Sequence, residues 1–290
     1  MRTLSLGYSP CPNDTLMFYP LVHELVDTGA LRFRERLEDV ETLNTLAIEN
    51  ALDVCKVSYH AFAHIRQHYV LLRSGGAMGR GCGPVIVARQ DCRIADLKEM
   101  RIATPGRYTT AHLLLRLFNP QIGRIIPMPF HEIMPAVIEG RVDAGVIIHE
   151  SRFTFQDYGL KRILDLGEWW ESKTGLPLPL GGIAAKRSLG DSLLHEVDKA
   201  VRASVEYATS HRGEASEYIR AHAREMDDGV CSSHIALYVN HHSLDPGTEG
   251  ERAAEALISL AAGCGLVPDS SLPVYVSTRP PVPPADRRAF

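Results

Sequence analysis

The chain has 290 residues, of which 45% are hydrophobic and 23% charged, and its formal net charge is −4. This composition is typical of a soluble globular protein with one large domain or two of ordinary size. The sequence has no cluster of basic and aromatic residues and no apolar run of about 18 residues, so we expect neither a nucleic-acid partner nor a membrane span. The first residues lack an apolar signal segment, and we therefore expect a cytoplasmic protein.

Short strand-like segments alternate with amphipathic segments over the first two thirds of the chain. The predicted strands are Thr3–Leu6, Leu31–Arg34, Asp53–Val57, Tyr69–Leu72, Pro84–Ala88, Arg101–Ala103, Ile125–Met128, Gly145–Ile148 and Arg162–Leu164. The predicted helices between them are Thr15–Val26, Glu41–Asn50, Tyr59–Gln67, Thr109–Phe118 and Glu132–Glu139. This alternation is typical of βαβ units, and it predicts an α/β fold with a mostly parallel sheet.

After Ala185 the strand pattern stops and only helical segments follow. They are Leu189–Ser210, Gly213–Glu225, Val230–Val239 and Glu249–Cys264. This order fits two lobes between which the chain crosses twice, near 88–96 and 181–187. We assign residues 1–90 and 186–276 to lobe one and residues 91–185 to lobe two, with a ligand cleft between the lobes. The proline-rich tail 277–290 is predicted to be irregular or disordered.

The cysteines and the glycine-rich segment carry no recognisable site. The six cysteines are scattered without paired spacing, which predicts free thiols. Cys11 lies between two prolines, and we interpret it as a residue that shapes the backbone and not as a nucleophile. The segment 74–83 contains five glycines but matches no phosphate-binding motif, so we predict a mobile or tightly turning loop beside the cleft.

The apolar segment Gly145–Ile148 ends abruptly in polar residues, beginning with His149. In open α/β sheets, ligands bind at the carboxyl ends of strands. A histidine at that position can accept or donate a proton near neutral pH. We therefore take His149 as a candidate catalytic residue; the alternative is a histidine that is hydrogen-bonded in a loop.

Three further segments place polar groups directly after predicted strands, where they can hold an anionic ligand. The candidate binding residues in them are Asn13, Asp14, Lys56, Val57, Ser58, Thr109, Thr110 and Ala111. For each segment, helix capping is a simpler alternative. The capping residue would be Asn13, Asp14 or Thr15 in the first segment, Ser58 in the second and Thr109 or Thr110 in the third.

Two groups of histidines are candidate metal ligands. His60, His64 and His68 have the i, i+4, i+8 spacing of one helix face, and two histidines four residues apart are a known zinc geometry. No Glu lies between them as in the HExxH motif and no third ligand is evident, so we predict a solvated or half-buried face. His241 and His242 are predicted to be a surface pair, and we predict no metal site.

Several segments of the chain together resemble the motifs of one family. They are Ser9–Thr15, Glu38–Asn44, Arg73–Ala77, Pro105–Thr110, Ile147–Thr154 and Thr174–Gly181. From about Leu4 to Leu266 the chain is similar to the 1,4-dihydroxy-6-naphthoate synthases of the futalosine route to menaquinone. The resemblance implies a periplasmic-binding-protein type II fold of two α/β lobes. It also implies a lyase that converts cyclic dehypoxanthine futalosine to 1,4-dihydroxy-6-naphthoate without a cofactor and releases a sugar-derived fragment. The substrate implied is a carbocycle that is attached to a ribose-derived ring and bears a benzoate-type carboxylate.

The resemblance also implies roles for individual residues. His149 matches the proton-accepting residue of the family, and 56–58 and 109–111 match its substrate-binding positions. The partner implied is a small-molecule carboxylate substrate. Whether the protein forms a homodimer is left undecided by the sequence. The tail after Ser277 departs from the family pattern.

Three other functions remain open on the sequence alone. The same fold serves non-catalytic solute-binding proteins, although such a receptor has to be exported and the chain shows no signal peptide. A chorismate dehydratase of the same pathway is a second alternative, against which the intact segments Ser9–Thr15 and His149–Thr154 argue. A cytoplasmic ligand sensor is the third, and no feature of the sequence favours it.

Overall fold

A computed structural model describes residues 1–223 and 227–278 of the chain. Its strands are β1 (Arg2–Tyr8), β2 (Leu31–Leu37), β3 (Val54–Ser58), β4 (Tyr69–Leu71), β5 (Ala77–Gly79), β6 (Val85–Ala88), β7 (Ile102–Thr104), β8 (Ile125–Pro127), β9 (Ala144–Ile147), β10 (Lys161–Asp165) and β11 (Leu178–Lys186). Its α-helices are α1 (Pro12–Val22), α2 (Val40–Ile48), α3 (Tyr59–Ile65), α4 (Thr110–Phe118), α5 (Phe130–Ile138), α6 (Ser151–Thr154), α7 (Leu166–Thr174), α8 (Asp191–Ser210), α9 (Ser216–His222), α10 (Asp228–Tyr238), α11 (His241–Leu244) and α12 (Gly247–Gly263).

Within the described residues the strands form two sheets. The first has the order β2-β1-β3-β11-β4, with β5 paired to β11, and the second has the order β10-β6-β9-β7-β8. Strand β1 is parallel to β2 and β3, whereas β11 is antiparallel to β3, β4 and β5. The expectation of a mostly parallel sheet is wrong, because β6, β10 and β11 run against their neighbours next to the points where the chain changes sheets.

Every predicted strand is present with small shifts at its ends, but β5 and β11 were not predicted. Strand β11 contains Pro179, Gly181 and Gly182, residue types that are depleted in strands, yet it lies inside the first sheet. The segment 74–83 was expected to be a loop, and it contains β5 because Ala77–Gly79 pairs with β11. Helices α6, α7 and α11 were also not predicted.

The strands show that the chain changes sheets earlier than predicted. It passes from β5 to β6 between 79 and 85, and it returns from the second sheet before β11 begins at Leu178. The two crossings are tied together, because Arg80 donates to the Gly175 carbonyl at 2.9 Å and the Gly81 N–H donates to Glu171 at 2.7 Å. The predicted lobe boundaries at 90 and 185 stay a prediction, and these strand positions favour earlier ones.

Apolar side chains fill each lobe and also join the two lobes. In lobe one, α1 and α8 pack together on the first sheet, and Phe18 and Val201 are fully buried there. In lobe two, α5 covers β7 and β9. Helix α4 contacts α3, α7 and α12, so a third cluster that includes Leu114 and Leu257 extends from one lobe to the other. This continuous packing fixes the faces that line the cleft between the sheets.

The cysteines and several histidines can be compared with the predictions for them. All six cysteines lie in the described residues, and none of them forms a disulfide there, as predicted. His68 lies in the turn after α3, which ends at Ile65, so the histidine stripe is shorter than predicted. His242 is buried and not a surface residue, because its Nδ1 donates to the Pro246 carbonyl at 3.2 Å at the start of α12; its neighbour His241 is exposed.

In the described ranges, 1–223 and 227–278, no helix has both the length and the apolar character needed to cross a bilayer. The predicted tail lies outside the described residues apart from Ser277 and Thr278, and so does the end of the helix predicted at 213–225.

Candidate active site

A cavity of about 690 Å³, counting the space open to solvent, lies between the two sheets. All nine candidate catalytic and binding residues line it. These residues are Asn13, Asp14, Lys56, Val57, Ser58, Thr109, Thr110, Ala111 and His149. The structure thus brings together residues from the ends of β1, β3, β7 and β9, as expected for the carboxyl ends of strands. The roles assigned to them stay predictions.

His149 follows β9 in an unusual backbone conformation. Its φ is +56°, in the left-handed region that non-glycine residues seldom adopt. Residues in this conformation cluster at functional sites. The imidazole packs edge-on against Phe130 with 5.0 Å between ring centroids, and its Nδ1 lies 3.6 Å from Cys11 Sγ. The side chain is therefore held from both lobes, because Cys11 belongs to lobe one and Phe130 begins α5.

Burial sets the protonation state of His149. It lowers the pKa of the imidazole, and the nearby carboxylates of Glu150 and Asp14 oppose that shift without cancelling it. The ring is therefore neutral at pH 7 and has a nitrogen that can accept a proton. Burial also raises the pKa of the Cys11 thiol well above its usual value, so Cys11 is not a thiolate, in accord with its interpretation as a non-nucleophile.

A buried ion pair forms one wall of the cavity. Lys56 Nζ donates to Asp14 Oδ1 at 2.7 Å and to the Gly75 carbonyl at 3.3 Å. The other oxygen of Asp14 accepts from the Ser9 hydroxyl at 2.7 Å. These charges are largely engaged with each other, so the wall is polar but close to electrically neutral.

Asn13 connects this ion pair to a histidine that the sequence analysis did not select. Its Nδ2 donates to Asp14 Oδ1 at 2.8 Å, and its Oδ1 lies 2.8 Å from Nε2 of His234. His234 lies on α10 and is fully buried. No local pattern marks it, because it is a lone histidine on a helix far along the chain, and only the tertiary fold brings it to the cavity.

Ser58 is positioned by Asn44, another residue missed as part of the site. The Asn44 side chain accepts from the Ser58 N–H at 2.9 Å and donates to Ser58 Oγ at 3.3 Å. Asn44 is fully buried and ends the segment Glu38–Asn44 singled out above. With Oγ already accepting one bond, the hydroxyl proton of Ser58 is available to a ligand.

The start of α4 offers backbone N–H groups to the cavity. Thr109 caps the helix, since its Oγ1 accepts from the His112 N–H at 3.2 Å. The Thr110 hydroxyl donates to the Leu180 carbonyl at 2.7 Å and accepts from the Tyr59 N–H at 3.1 Å. Both hydroxyls are therefore already bonded to other groups of the protein. The N–H groups of Thr110 and Ala111, in the first helical turn, are the donors suited to an anion.

The capping alternatives divide among the three segments. For Thr109 the capping interpretation is confirmed. For the first segment it is wrong, because α1 begins at Pro12, its N-cap is Cys11, and no side chain caps it. Ser58 occupies the N-cap position of α3, but its hydroxyl makes no capping bond because it pairs with Asn44.

Glu41 of lobe one binds the backbone of the loop that precedes α4. Its carboxylate accepts from the backbone N–H groups of Arg107 and Tyr108, the latter at 3.0 Å. A Cβ added to Gly106 in that loop would lie 2.4 Å from the same carboxylate, and the φ of Gly106 is +132°. A glycine is therefore required for this contact between the lobes.

One group in the described residues could hold a metal ion. Ligand atoms of His149, Glu150 and His234 all lie within 4.8 Å of one another. His60 and His64 of α3 and His112 of α4 form a second histidine cluster, with 6.0 Å between the stacked rings of His60 and His112. This cluster lies where α3 packs against α4.

The comparison with protein families decides the ancestry of this site. Residues 4–263 match the family model described as "Menaquinone biosynthesis". The chain belongs to this family. Its match spans both lobes and all the cavity segments described above.

Two curated family members are similar over nearly their full length. A 1,4-dihydroxy-6-naphthoate synthase of Thermus thermophilus is 51% identical over 95% of this chain and 100% of its own length. One of Streptomyces coelicolor is 46% identical over 92% of this chain and 95% of its own length.

Solved structures agree with the fold. The protein AF1704 from Archaeoglobus fulgidus has a TM-score of 0.86 and 37% identity, covering 91% of this chain and 98% of its own. The periplasmic aliphatic sulphonate binding protein SsuA of Escherichia coli has a TM-score of 0.65 over 94% of this chain and 91% of its own. At 14% identity this second likeness shows the fold alone, and it confirms the expected periplasmic-binding-protein fold.

Proposed function

We propose that this family member is a 1,4-dihydroxy-6-naphthoate synthase, a carbon–carbon lyase that converts cyclic dehypoxanthine futalosine to 1,4-dihydroxy-6-naphthoate. The observation that carries the proposal is the position of His149, a neutral imidazole on the wall of a cavity that residues of both lobes line. The similarity to two curated synthases over nearly the whole chain supports the same reaction. A cytoplasmic location fits a biosynthetic enzyme and is part of the proposal.

His149 acts as the general base. A neutral histidine can take a proton from carbon or oxygen of the substrate and so start the carbon–carbon cleavage. The sugar-derived fragment leaves when this bond breaks, and formation of an aromatic naphthalene diol supplies the driving force. For Nε2 to accept this proton, the ring must carry its own proton on Nδ1, and Cys11 Sγ at 3.6 Å is the acceptor placed for it.

The cavity binds the carboxylate of the substrate through neutral donors. The N–H groups at the start of α4 and the Ser58 hydroxyl are hydrogen-bond donors, and their partial positive charge attracts an anion. Lys56 contributes less direct charge, since Asp14 accepts from its ammonium at 2.7 Å. Closure of the lobes through Glu41 and the 109–110 turn shelters the reaction from water and orients the substrate.

The test is turnover of purified protein with cyclic dehypoxanthine futalosine, followed by mass detection of 1,4-dihydroxy-6-naphthoate. We expect product from the wild type, and a loss of about 10²–10⁴-fold in kcat for His149→Ala with substrate binding retained. His131→Ala is the matched control, because His131 is an exposed histidine beside Phe130. We expect it to turn over at the wild-type rate.

The outcomes separate the alternatives. Product from wild type and from His149→Ala at equal rates would keep the reaction and refute the base. Binding of a small carboxylate without turnover would favour a solute-binding protein. Turnover of chorismate in its place would favour the dehydratase of the same pathway.

A further inference from the structure

His234 presents an unused nitrogen beside the proposed base. The residue is fully buried on α10, and its Nδ1 has no hydrogen-bond partner among the described residues. The ring lies nearly parallel to that of His149, with 5.9 Å between centroids. A buried polar atom without a partner is costly, so an atom of this kind in a residue that lines the cavity indicates a ligand that pairs with it.

The hydrogen bonds behind His234 determine which nitrogen carries the proton. Lys56 has only donors, so Asp14 Oδ1 accepts from it at 2.7 Å. The same oxygen lies 2.8 Å from Asn13 Nδ2, which must be the amide nitrogen because only it can donate to the carboxylate. The Asn13 Oδ1 is then an acceptor, and the atom 2.8 Å from it, His234 Nε2, must be the donor.

It follows that neutral His234 carries its proton on Nε2 and has a lone pair on Nδ1. Burial and the neighbouring His149 and Lys56 lower the pKa of His234 well below its usual value, so the ring is neutral at pH 7. The lone pair of Nδ1 lies 3.8 Å from Glu150 Oε1, which is also an acceptor when ionised. Because neither acceptor can donate a hydrogen bond to the other, each needs a donor from a bound molecule.

On the basis of the proposed function, we propose that His234 Nδ1 and the Glu150 carboxylate each accept a hydrogen bond from one of two adjacent hydroxyl groups on the sugar-derived ring of the substrate. Two neighbouring hydroxyls offer two donors at a spacing that matches two acceptors lying side by side. The ion pair of Lys56 and Asp14, acting through Asn13, is the positioning element that fixes the tautomer of His234 and keeps its lone pair on Nδ1, beside Glu150.

Two substitutions at position 234 separate the two nitrogens. His234→Gln retains a donor near the position of Nε2 for Asn13 and removes the acceptor at Nδ1. His234→Asn retains an acceptor near Nδ1 and removes the bond to Asn13. We expect His234→Gln to lose about 10–100-fold in kcat/KM, the cost of one unpaired buried hydrogen-bonding group. His234→Asn should retain more activity than His234→Gln if its fold is intact by circular dichroism.

Substrate analogues make the test specific to contact. Deoxy analogues of cyclic dehypoxanthine futalosine, each lacking one hydroxyl of the ring, are assayed with wild type and with His234→Gln. We expect one analogue to lose the same factor with the wild type and to lose nothing further with the variant. Equal additional losses in both proteins for every analogue would overturn the proposal, because the variant would then act without contacting a hydroxyl.

Two more measurements can overturn the proposal independently of activity. In ¹⁵N spectra of histidine-labelled protein we expect the Nε2–H form of His234, and the Nδ1–H form would contradict the hydrogen-bond argument. If the purified protein holds a stoichiometric metal ion that His234→Gln lacks, Nδ1 is a metal ligand and the proposal is wrong. Failure of the wild type to turn over the substrate would refute the proposed function instead, so the two failures are distinguishable.

Discussion

Lys56 Nζ and Asp14 Oδ1 lie 2.7 Å apart, and both side chains are almost completely withdrawn from solvent, with 7% and 2% of their surfaces exposed. A buried ion pair of this kind is costly to break, because the partner left behind is an uncompensated charge. We expect Lys56→Met to lower the free energy of unfolding by about 3–5 kcal/mol, measured by urea denaturation.

The double variant Lys56→Met, Asp14→Asn is its control. Because no charge is left alone, it should be more stable than Lys56→Met. A double variant at least as unstable as the single one would show that the packing of the lysine stem, and not its charge, stabilises this wall.

The Thr110 hydroxyl bridges the lobes through Leu180 and Tyr59, and its loss should affect binding more than chemistry. For Thr110→Val we expect KM to rise about tenfold and kcat to fall less, because the start of α4 loses its tie to the other lobe and the Tyr59 N–H loses its partner. Thr110→Ser keeps the hydroxyl and should behave like the wild type. Steady-state kinetics would contradict the binding role if Thr110→Val lowered kcat with KM unchanged.

The lowered pKa of His149 predicts the pH dependence of the reaction. A base must be unprotonated to act, so kcat/KM should be constant from pH 7 to pH 8 and should fall only as the pH drops below about 6.5, the ordinary value for histidine. A pH profile of kcat/KM measures this, and a limb above pH 7 would contradict it.

Cys11→Ala tests whether the thiol only supports His149. We expect a loss of kcat within about tenfold, because the variant removes a weak partner of Nδ1 and leaves the base in place. A loss beyond about a thousandfold would identify Cys11 as a participant in the reaction, as removal of a nucleophile does.

Buried histidines predict loss of stability in mild acid. Burial lowers the pKa of His60 to about 3 and that of His112 to about 4, whereas both take up protons near pH 6.5 in the unfolded chain. The unfolded state therefore binds more protons in this window, and each such group lowers the free energy of unfolding by up to about 1.4 kcal/mol per pH unit as the pH falls.

His60→Leu isolates one of these groups, since Nδ1 of His60 has no hydrogen-bond partner among the described residues. We expect thermal unfolding between pH 7 and pH 4.5 to show a smaller drop in Tm for the variant than for the wild type. An unchanged drop would show that other groups account for the acid sensitivity.

The sequence predicts the site better than it predicts the sheets that carry it. Polar residues after apolar strands are a local signal, and the selected residues all line one cavity for that reason. Strand β11 escapes prediction because Pro179 and two glycines interrupt its pattern, although its neighbours β3 and β4 supply the pairing that holds it. The fold thus overrides the local preference of these residues.

His234 and Asn44 show a second limit of the sequence. Neither follows a strand, and each reaches the site through one long-range partner, Asn13 and Ser58 respectively. Such contacts depend on how α10 and α2 pack, which no periodicity encodes. The resemblance to a known family indicates the reaction and includes Asn44 in one of its segments, but it assigns a role to neither residue.

The place of β11 inside the first sheet has a consequence for the order in which the protein matures on the ribosome. Strands β6 to β10 are contiguous between Val85 and Asp165, so the second sheet has all its strands as soon as that stretch has been made. The first sheet lacks an inner strand until Lys186 has left the exit tunnel, and the cavity lacks His234 for longer still. The middle of the chain is therefore able to fold first, as a platform onto which the two ends of the polypeptide later close.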